Sequence, residues 1–213
     1  MLSDLLKWGG RRPGQPGDAS IPKVDEPVVV SKAFPKFLGA LVQQASPVLL
    51  DFGPVIGSNV EFFGERLGCK LFIEDIIADI DRHKRNGTAD ELPAAFEKRF
   101  RHGDASVNGV LCWDCFDFLD KASAPALAKQ IVRMLKPGGA AMGFFCTSSV
   151  AKANFTKYEI VDDTNLRHRP HAGVGGPRRA FQNRDIIRMF EGLVVSDSFL
   201  LKHNTREILL RCP

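Results

Sequence analysis

Four short apolar runs constrain the fold more tightly than anything else in the chain: PVLLDFG from Pro47, CKLFIED from Cys69, NGVLCWDCF from Asn108 and AAMGFFC from Ala140. Each has the length of a buried strand, and helix-patterned segments lie between them. Phe34, Phe37, Leu38, Leu41, Val42 and Ala45 mark one apolar helix face, ended by Pro47. SNVEFFGERLG reads as a helix capped by Ser58 or Asn59 and closed by Gly68. IIADIDRHKRNG and DELPAAFEKRF are two more, and Ser123-Ala124-Pro125 opens another that carries Leu127, Ala128, Ile131, Val132 and Leu135 on one side. Strand–helix alternation of this kind gives parallel strands joined by right-handed crossovers. The end of the chain departs from it: after the helix RDIIRMFEG, LVVSDSFLL and REILLRC flank KHNT as an antiparallel hairpin. The expected class is therefore α/β, doubly wound and mostly parallel, with helices on both faces and a C-terminal antiparallel hairpin.

A chain of 213 residues, 44% hydrophobic and 25% charged, suits one domain with a substantial core. Residues 1–30 read as a flexible arm, since Pro13, Pro16, Pro22 and Pro27 oppose a helix there. Residues 31–213 read as the single folded domain. The net charge of +4 is too small to argue for a nucleic-acid partner. No apolar run approaches the roughly 20 residues that cross a bilayer, and the N-terminus lacks a secretory pattern. Five cysteines, an odd number, suggest reduced thiols and a cytoplasmic location.

The first apolar run closes on a glycine turn, Asp51-Phe52-Gly53-Pro54-Val55-Ile56-Gly57. In open α/β sheets ligands sit beyond the carboxyl ends of the strands, where glycine lets a ligand approach the backbone. Glu74 ends the second run, seventeen residues past Gly57, and its two acceptor oxygens could take both hydroxyls of a ribose. The turn is one residue short of a Walker A loop and lacks its lysine. As a dinucleotide G-x-G-x-x-G turn it is weak, because Gly53 to Gly57 is G-x-x-x-G. The kinase-like Asp-Phe-Gly has none of its companion motifs.

Taken in order, LLDFGPVIG, the acid at Glu74, GDASVNGVLCWDCFDFL and MLKPGGAAMGFF resemble the motifs of class I S-adenosylmethionine-dependent methyltransferases of the type 11 kind. The resemblance runs from about Phe34 to the C-terminus, with Val55 standing where the family usually has its middle glycine. It implies a Rossmann-like fold with a seven-stranded sheet, S-adenosylmethionine as cofactor, and methyl transfer to a small-molecule acceptor. Carried over by position, the cofactor residues are Asp51, Gly53, Pro54 and Gly57, then Glu74 and Asp75, then Asp104 and Ala105. By the same resemblance Trp113 and Asp114 would lie near the adenine and the reacting methyl. Each acid has a plainer reading: Asp51 and the Glu74-Asp75 pair could serve the first turns of helices. Candidates for a general base are Asp114, Asp117, Tyr158, His168 and His171, which the sequence does not separate.

Segment 147–182 reads as a substrate-side insertion or loop. It holds Arg167, Arg169, Arg178 and Arg179, and from Thr164 to Arg184 there is no acid. Two readings stand: recognition of an anionic acceptor, with Arg167 and Arg169 binding it, or a solvated loop. The Cys112–Cys115 pair has redox spacing but leaves a buried strand, so two small buried side chains is the favoured reading, and no metal set is read. A nucleic-acid acceptor is disfavoured, because the D/N-P-P-Y motif of amine-methylating members is replaced by Cys-Trp-Asp-Cys. Two alternatives to methyl transfer remain: a non-catalytic module that kept the fold, motivated by Val55, and, more weakly, a nicotinamide-dependent oxidoreductase.

Overall fold

The structure is a computed structural model that describes residues 26–202 and 204–213. Residues 1–25 of the expected arm lie outside the described residues. Val28–Val30, expected within it, form strand β1. The chain continues as α1 (Phe34–Leu41), β2 (Val48–Asp51), α2 (Gly57–Glu61), β3 (Lys70–Ile73), α3 (Ile76–Asn86), α4 (Leu92–Arg99) and β4 (Val107–Trp113). It then forms α5 (Ser123–Met134), β5 (Leu135–Cys146), β6 (Val150–Ile160), β7 (Asn165–Arg178), α6 (Asn183–Met189), β8 (Val194–Leu200) and β9 (Thr205–Arg211).

The main sheet has six strands in the order β3-β2-β4-β5-β9-β8. The first four are parallel, and β9 runs antiparallel to both β5 and β8. The seven-stranded sheet expected from the family resemblance is thus corrected to a six-stranded mixed sheet. The reason lies in residues 87–106, which hold no run of apolar or β-branched residues able to form a strand outside β3. That stretch makes a short 3-10 turn (Ala89–Glu91) and α4, which packs on α5.

Segment 147–182 is not a loop. β6 and β7 pair as a long antiparallel hairpin, and β1 adds to β7 to make a separate three-stranded sheet. Phe155, Tyr158, Ile160 and Leu166 are its buried apolar residues. Asn59 was one of two expected caps for α2, but no side chain caps that helix. The Asn59 side chain is instead buried and fastens β6: its Nδ2 donates to the Tyr158 carbonyl at 2.9 Å and its Oδ1 accepts from Ile160 N at 2.8 Å. After Glu61 the helix widens into a π turn over Phe62–Arg66, placing Phe62 and Phe63 against Phe34 of α1.

β4 is buried along all seven residues, the pattern of a central strand covered on both faces. α1 covers one face at Gly109, where a Cβ would stand 2.7 Å from Leu41 Cδ2 and 3.0 Å from Phe37 Cζ. Gly109→Ala is therefore expected to destabilise the protein by about 1–3 kcal/mol through overpacking, read as a lower Tm. The start of α1 is tied to the far side of the sheet by Glu207, fully buried on β9, whose Oε2 accepts from Lys32 N at 2.8 Å and Ala33 N at 2.9 Å.

Candidate functional site

Three parallel strands end side by side. Glu74 N donates to the Asp51 carbonyl at 2.7 Å and Phe52 N to the Leu111 carbonyl at 2.9 Å, which aligns the ends of β2, β3 and β4. Asp51, Glu74 and Trp113 thereby share the carboxyl edge of the sheet, the edge where such sheets hold ligands.

The Asp51 carboxylate is buried, and its Oδ1 accepts from Gly53 N at 2.9 Å and from the Trp113 indole N–H at 2.6 Å. Burial raises its pKa to about 6, helped by the nearby charge of Asp75 and opposed by those two hydrogen bonds. Trp113 holds a left-handed backbone, φ 49°, which is rare for a bulky side chain and places its ring over the turn. A Cβ on Gly53 would lie 2.9 Å from Trp113 Cδ1, so position 53 needs glycine because the indole lies on it. The far side of the turn is open. Val55 is 71% exposed, so the valine in place of a glycine points to solvent, and a Cβ on Gly57 would touch nothing. Pro54, half-buried, joins the two parts.

Trp113 begins an aromatic stack. Its ring lies 5.0 Å from that of Tyr158 at 6°, and Tyr158 lies 4.6 Å from Phe144 at 3°. His168 meets the Tyr158 ring edge-on at 4.8 Å. Asp114, next in sequence, is fully buried, with the Thr156 side chain beside its carboxyl and the Arg178 guanidinium at 3.9 Å. Burial raises the Asp114 pKa to about 7, against the pull of Arg178. Burial, and then the Asp114 charge, push the Tyr158 phenol well up, while burial lowers His168 to about 4. Three of the five base candidates thus gather around one stack. Asp117 is spent elsewhere, accepting from Cys146 N at 3.0 Å and from Arg178. His171 lies beside Phe155.

Glu74 is engaged: Arg99 stands 3.3 Å from Oε2 and His102 3.5 Å from Oε1, and Arg99 also donates to the Glu74 carbonyl and to Asp79. No local sequence signal announces Arg99, the last residue of α4, or His102, just past it. Asp75 takes the plainer role, capping α3 by accepting from Ala78 N at 3.1 Å. Asp104 and Ala105 are set apart from the other cofactor candidates. They precede Val107, which pairs with Leu135 at the amino end of β4, whereas Asp51 pairs with Leu111 toward the other end. Asp104 is bound to Arg133 at 2.8 Å with its side chain 79% exposed. The chain enters β4 directly after Ser106, with no residues to carry this pair to the ligand edge.

Arg167 and Arg169 are paired across the hairpin. Arg167 meets Glu159 at 2.9 Å, and Arg169 meets Glu159 at 3.1 Å and Glu26 at 3.0 Å. The acid missing from the local sequence is supplied by the neighbouring strand, which leaves less charge for an anionic acceptor at these positions. Cys112 and Cys115 are buried free thiols whose pKa burial raises. None of the five cysteines is in a disulfide.

Neither a protein-family model nor a curated protein matches the chain. Solved structures do. The PH0226 protein from Pyrococcus horikoshii OT3 is 13% identical, with 84% of this chain and 89% of that chain covered and a TM-score of 0.50. A 1,6-didemethyltoxoflavin-N1-methyltransferase from Burkholderia thailandensis is 15% identical over 85% of this chain and 77% of its own, with a TM-score of 0.49. An S-adenosylmethionine-dependent methyltransferase from Clostridium acetobutylicum ATCC 824 is 11% identical over 84% and 92%, with a TM-score of 0.44. At these identities the likeness is one of fold. The fold is shared with the PH0226 protein. Among the described residues no helix is long and apolar enough to cross a membrane.

Proposed function

We propose that the protein is an S-adenosylmethionine-dependent methyltransferase acting on a small-molecule acceptor in the cytoplasm. The observation that carries this reading is the adjacency of Asp51 and Glu74 on neighbouring parallel strands, with the Gly53–Gly57 turn between them. The residues that would hold the cofactor are the turn from Gly53 to Gly57, Glu74 for the ribose hydroxyls, and Trp113 as the inner wall. The fit is supported by the open space beside Gly57, the exposed Val55, and a carboxylate at Glu74 whose side chain is 21% exposed. Bound there, the cofactor supplies a methyl group already activated by a sulfonium, so alignment does most of the catalysis.

The chain's own task is to orient the acceptor and, where the nucleophile arrives protonated, to take its proton. Asp114 is the candidate that fits that task best: its pKa of about 7 matches neutral conditions, and it follows Trp113 directly in the chain. Tyr158 keeps its proton and serves as packing. His168 is a neutral imidazole at pH 7 and a weak proton acceptor.

A second reading, a module that binds without turning over, is favoured by the Trp113 indole lying on Gly53 and using the Asp51 carboxylate. Calorimetric titration with S-adenosylhomocysteine separates the cases. Binding is expected, weakened at least tenfold in Glu74→Gln through loss of the charged acceptor. No heat with either adenosyl ligand would overturn the methyltransferase reading. Tight adenosyl binding with no methylation across an acceptor panel would favour the second.

A further inference from the structure

The structure brings a group of cations together around Phe118. Lys84, in the last turn of α3, holds its ammonium 5.6 Å from the centre of the Phe118 ring, and the Arg178 guanidinium lies 5.9 Å from it. These residues, with Arg179 and Ser149, line a cavity of about 340 Å³ whose apolar floor includes Leu92 and Phe118. Lys84 rests against the hairpin: a Cβ on Gly176 would stand 3.1 Å from its Nζ.

Three cations, Lys84, Arg178 and Arg179, and one acid, Asp120, line the cavity, and Asp120 faces both Lys84 and Arg179. Arg178 is spent on the buried Asp117, at 2.5 Å. Among the described residues, however, neither Lys84 nor Arg179 is in an ion pair, unlike Arg167, Arg169 and Arg184. The acids that face Lys84 are Asp81 and Asp120. Asp81 is bridged to Arg85 at 2.5 Å, and Asp120 points its Oδ1 at the Ala122 and Ser123 amides that open α5. Burial lowers the Lys84 pKa, and the charges of Asp81 and Asp120 oppose that shift. Ser149 Oγ accepts from Ala180 N, which leaves its hydrogen free to donate. Arg179 also borders an adjoining cavity lined by Lys121, Arg188 and Asp185.

We infer that this cavity binds an organic anion, its carboxylate or phosphate held by Lys84, Arg179 and Ser149 and its apolar body on Phe118 and Leu92. The site takes over the anion-recognition role that the sequence points to at Arg167 and Arg169. Arg178 links it to the cradle through Asp114, the residue after Trp113. As the acceptor's anchor it rests on the methyl-transfer reading; as a binding site it does not.

The test titrates phenyl phosphate, with phenol as the uncharged control, into the full-length protein at low salt, followed by ligand-observed NMR. Phenyl phosphate is expected to bind and phenol not to. Lys84→Gln and Arg179→Gln should each weaken binding about tenfold, while Arg167→Gln should leave it unchanged. S-Adenosylhomocysteine affinity, measured in parallel, should be the same in all three variants. No binding at millimolar phenyl phosphate, equal binding of phenol, or wild-type binding by the Lys84→Gln and Arg179→Gln proteins would overturn the assignment. Loss of adenosyl binding alone would instead count against the methyltransferase reading.

Discussion

Asp114→Asn flattens the dependence of stability on pH, leaving the protein more stable relative to wild type at pH 8 than at pH 4. The folded Asp114 titrates at about 7, whereas an unfolded aspartate titrates near 3.9. Below pH 4 both states are protonated and the buried carboxyl carries no penalty. As pH rises the unfolded chain ionises first, so folding must take up a proton or bury a charge. The penalty grows by roughly 1.4 kcal/mol per pH unit and levels off above pH 7 at about 4 kcal/mol. Asparagine carries no charge and loses that slope, although its amide, buried in the same place, costs a constant amount at every pH. Asp51 adds a second slope of the same sign, levelling off above pH 6 at about 3 kcal/mol, which the variant retains. Urea unfolding at intervals from pH 4 to pH 8 measures both. Equal slopes in variant and wild type would mean that Asp114 is ionised in the folded state and balanced by Arg178.

The second large effect is at Trp113. Replacement by alanine removes the ring that stacks on Tyr158, covers Gly53 and donates to Asp51. Truncating a buried aromatic of this size costs about 3–5 kcal/mol. Phenylalanine separates packing from hydrogen bonding by pH: it keeps a six-membered ring on Tyr158, and the volume lost with the five-membered ring costs the same at every pH, whereas the lost indole N–H does not. That leaves the buried Asp51 oxygen with the Gly53 amide alone, a loss of about 1–3 kcal/mol that grows as Asp51 ionises. The expected order of Tm is wild type, Trp113→Phe, Trp113→Ala, the first gap being wider at pH 8 than at pH 5. A phenylalanine variant as stable as wild type at pH 8 would show that the 2.6 Å contact contributes nothing.

Much of this fold was legible in the order of the apolar runs. PVLLDFG, CKLFIED, NGVLCWDCF and AAMGFFC became β2, β3, β4 and β5, because a strand buried on both faces writes itself as a continuous apolar run. Of the candidate cofactor residues, Asp51 and Glu74 were legible because each closes such a run, and strand ends in a parallel sheet must come together. The seventh strand came from the family resemblance alone: the four runs and the closing hairpin make six, and residues 87–106 lack the composition to add another. Segment 147–182, expected as a substrate-side insertion or loop, carries the β6–β7 hairpin, whose pairing register shifts between Asn154 and Thr156. Arg167 and Arg169 looked free of acids because the scan ran along the chain, whereas their partner Glu159 lies directly across the strand pair from Arg167.

The sequence by itself determined the strand–helix alternation, the four strands of the parallel part of the sheet, and the glycine turn after the first of them. Local patterning suffices for these, since burial periodicity and turn chemistry are properties of neighbouring residues. What only the tertiary structure decided is the state of each functional group. Trp113 lies on Gly53 across sixty residues of chain. Arg99 and His102 hold Glu74, the Phe118 cavity joins Lys84 to Arg179, and Asp104 sits at the wrong end of its strand. Charge, burial and hydrogen bonding depend on which distant residues share a few ångströms of space, and no spacing along the chain encodes that.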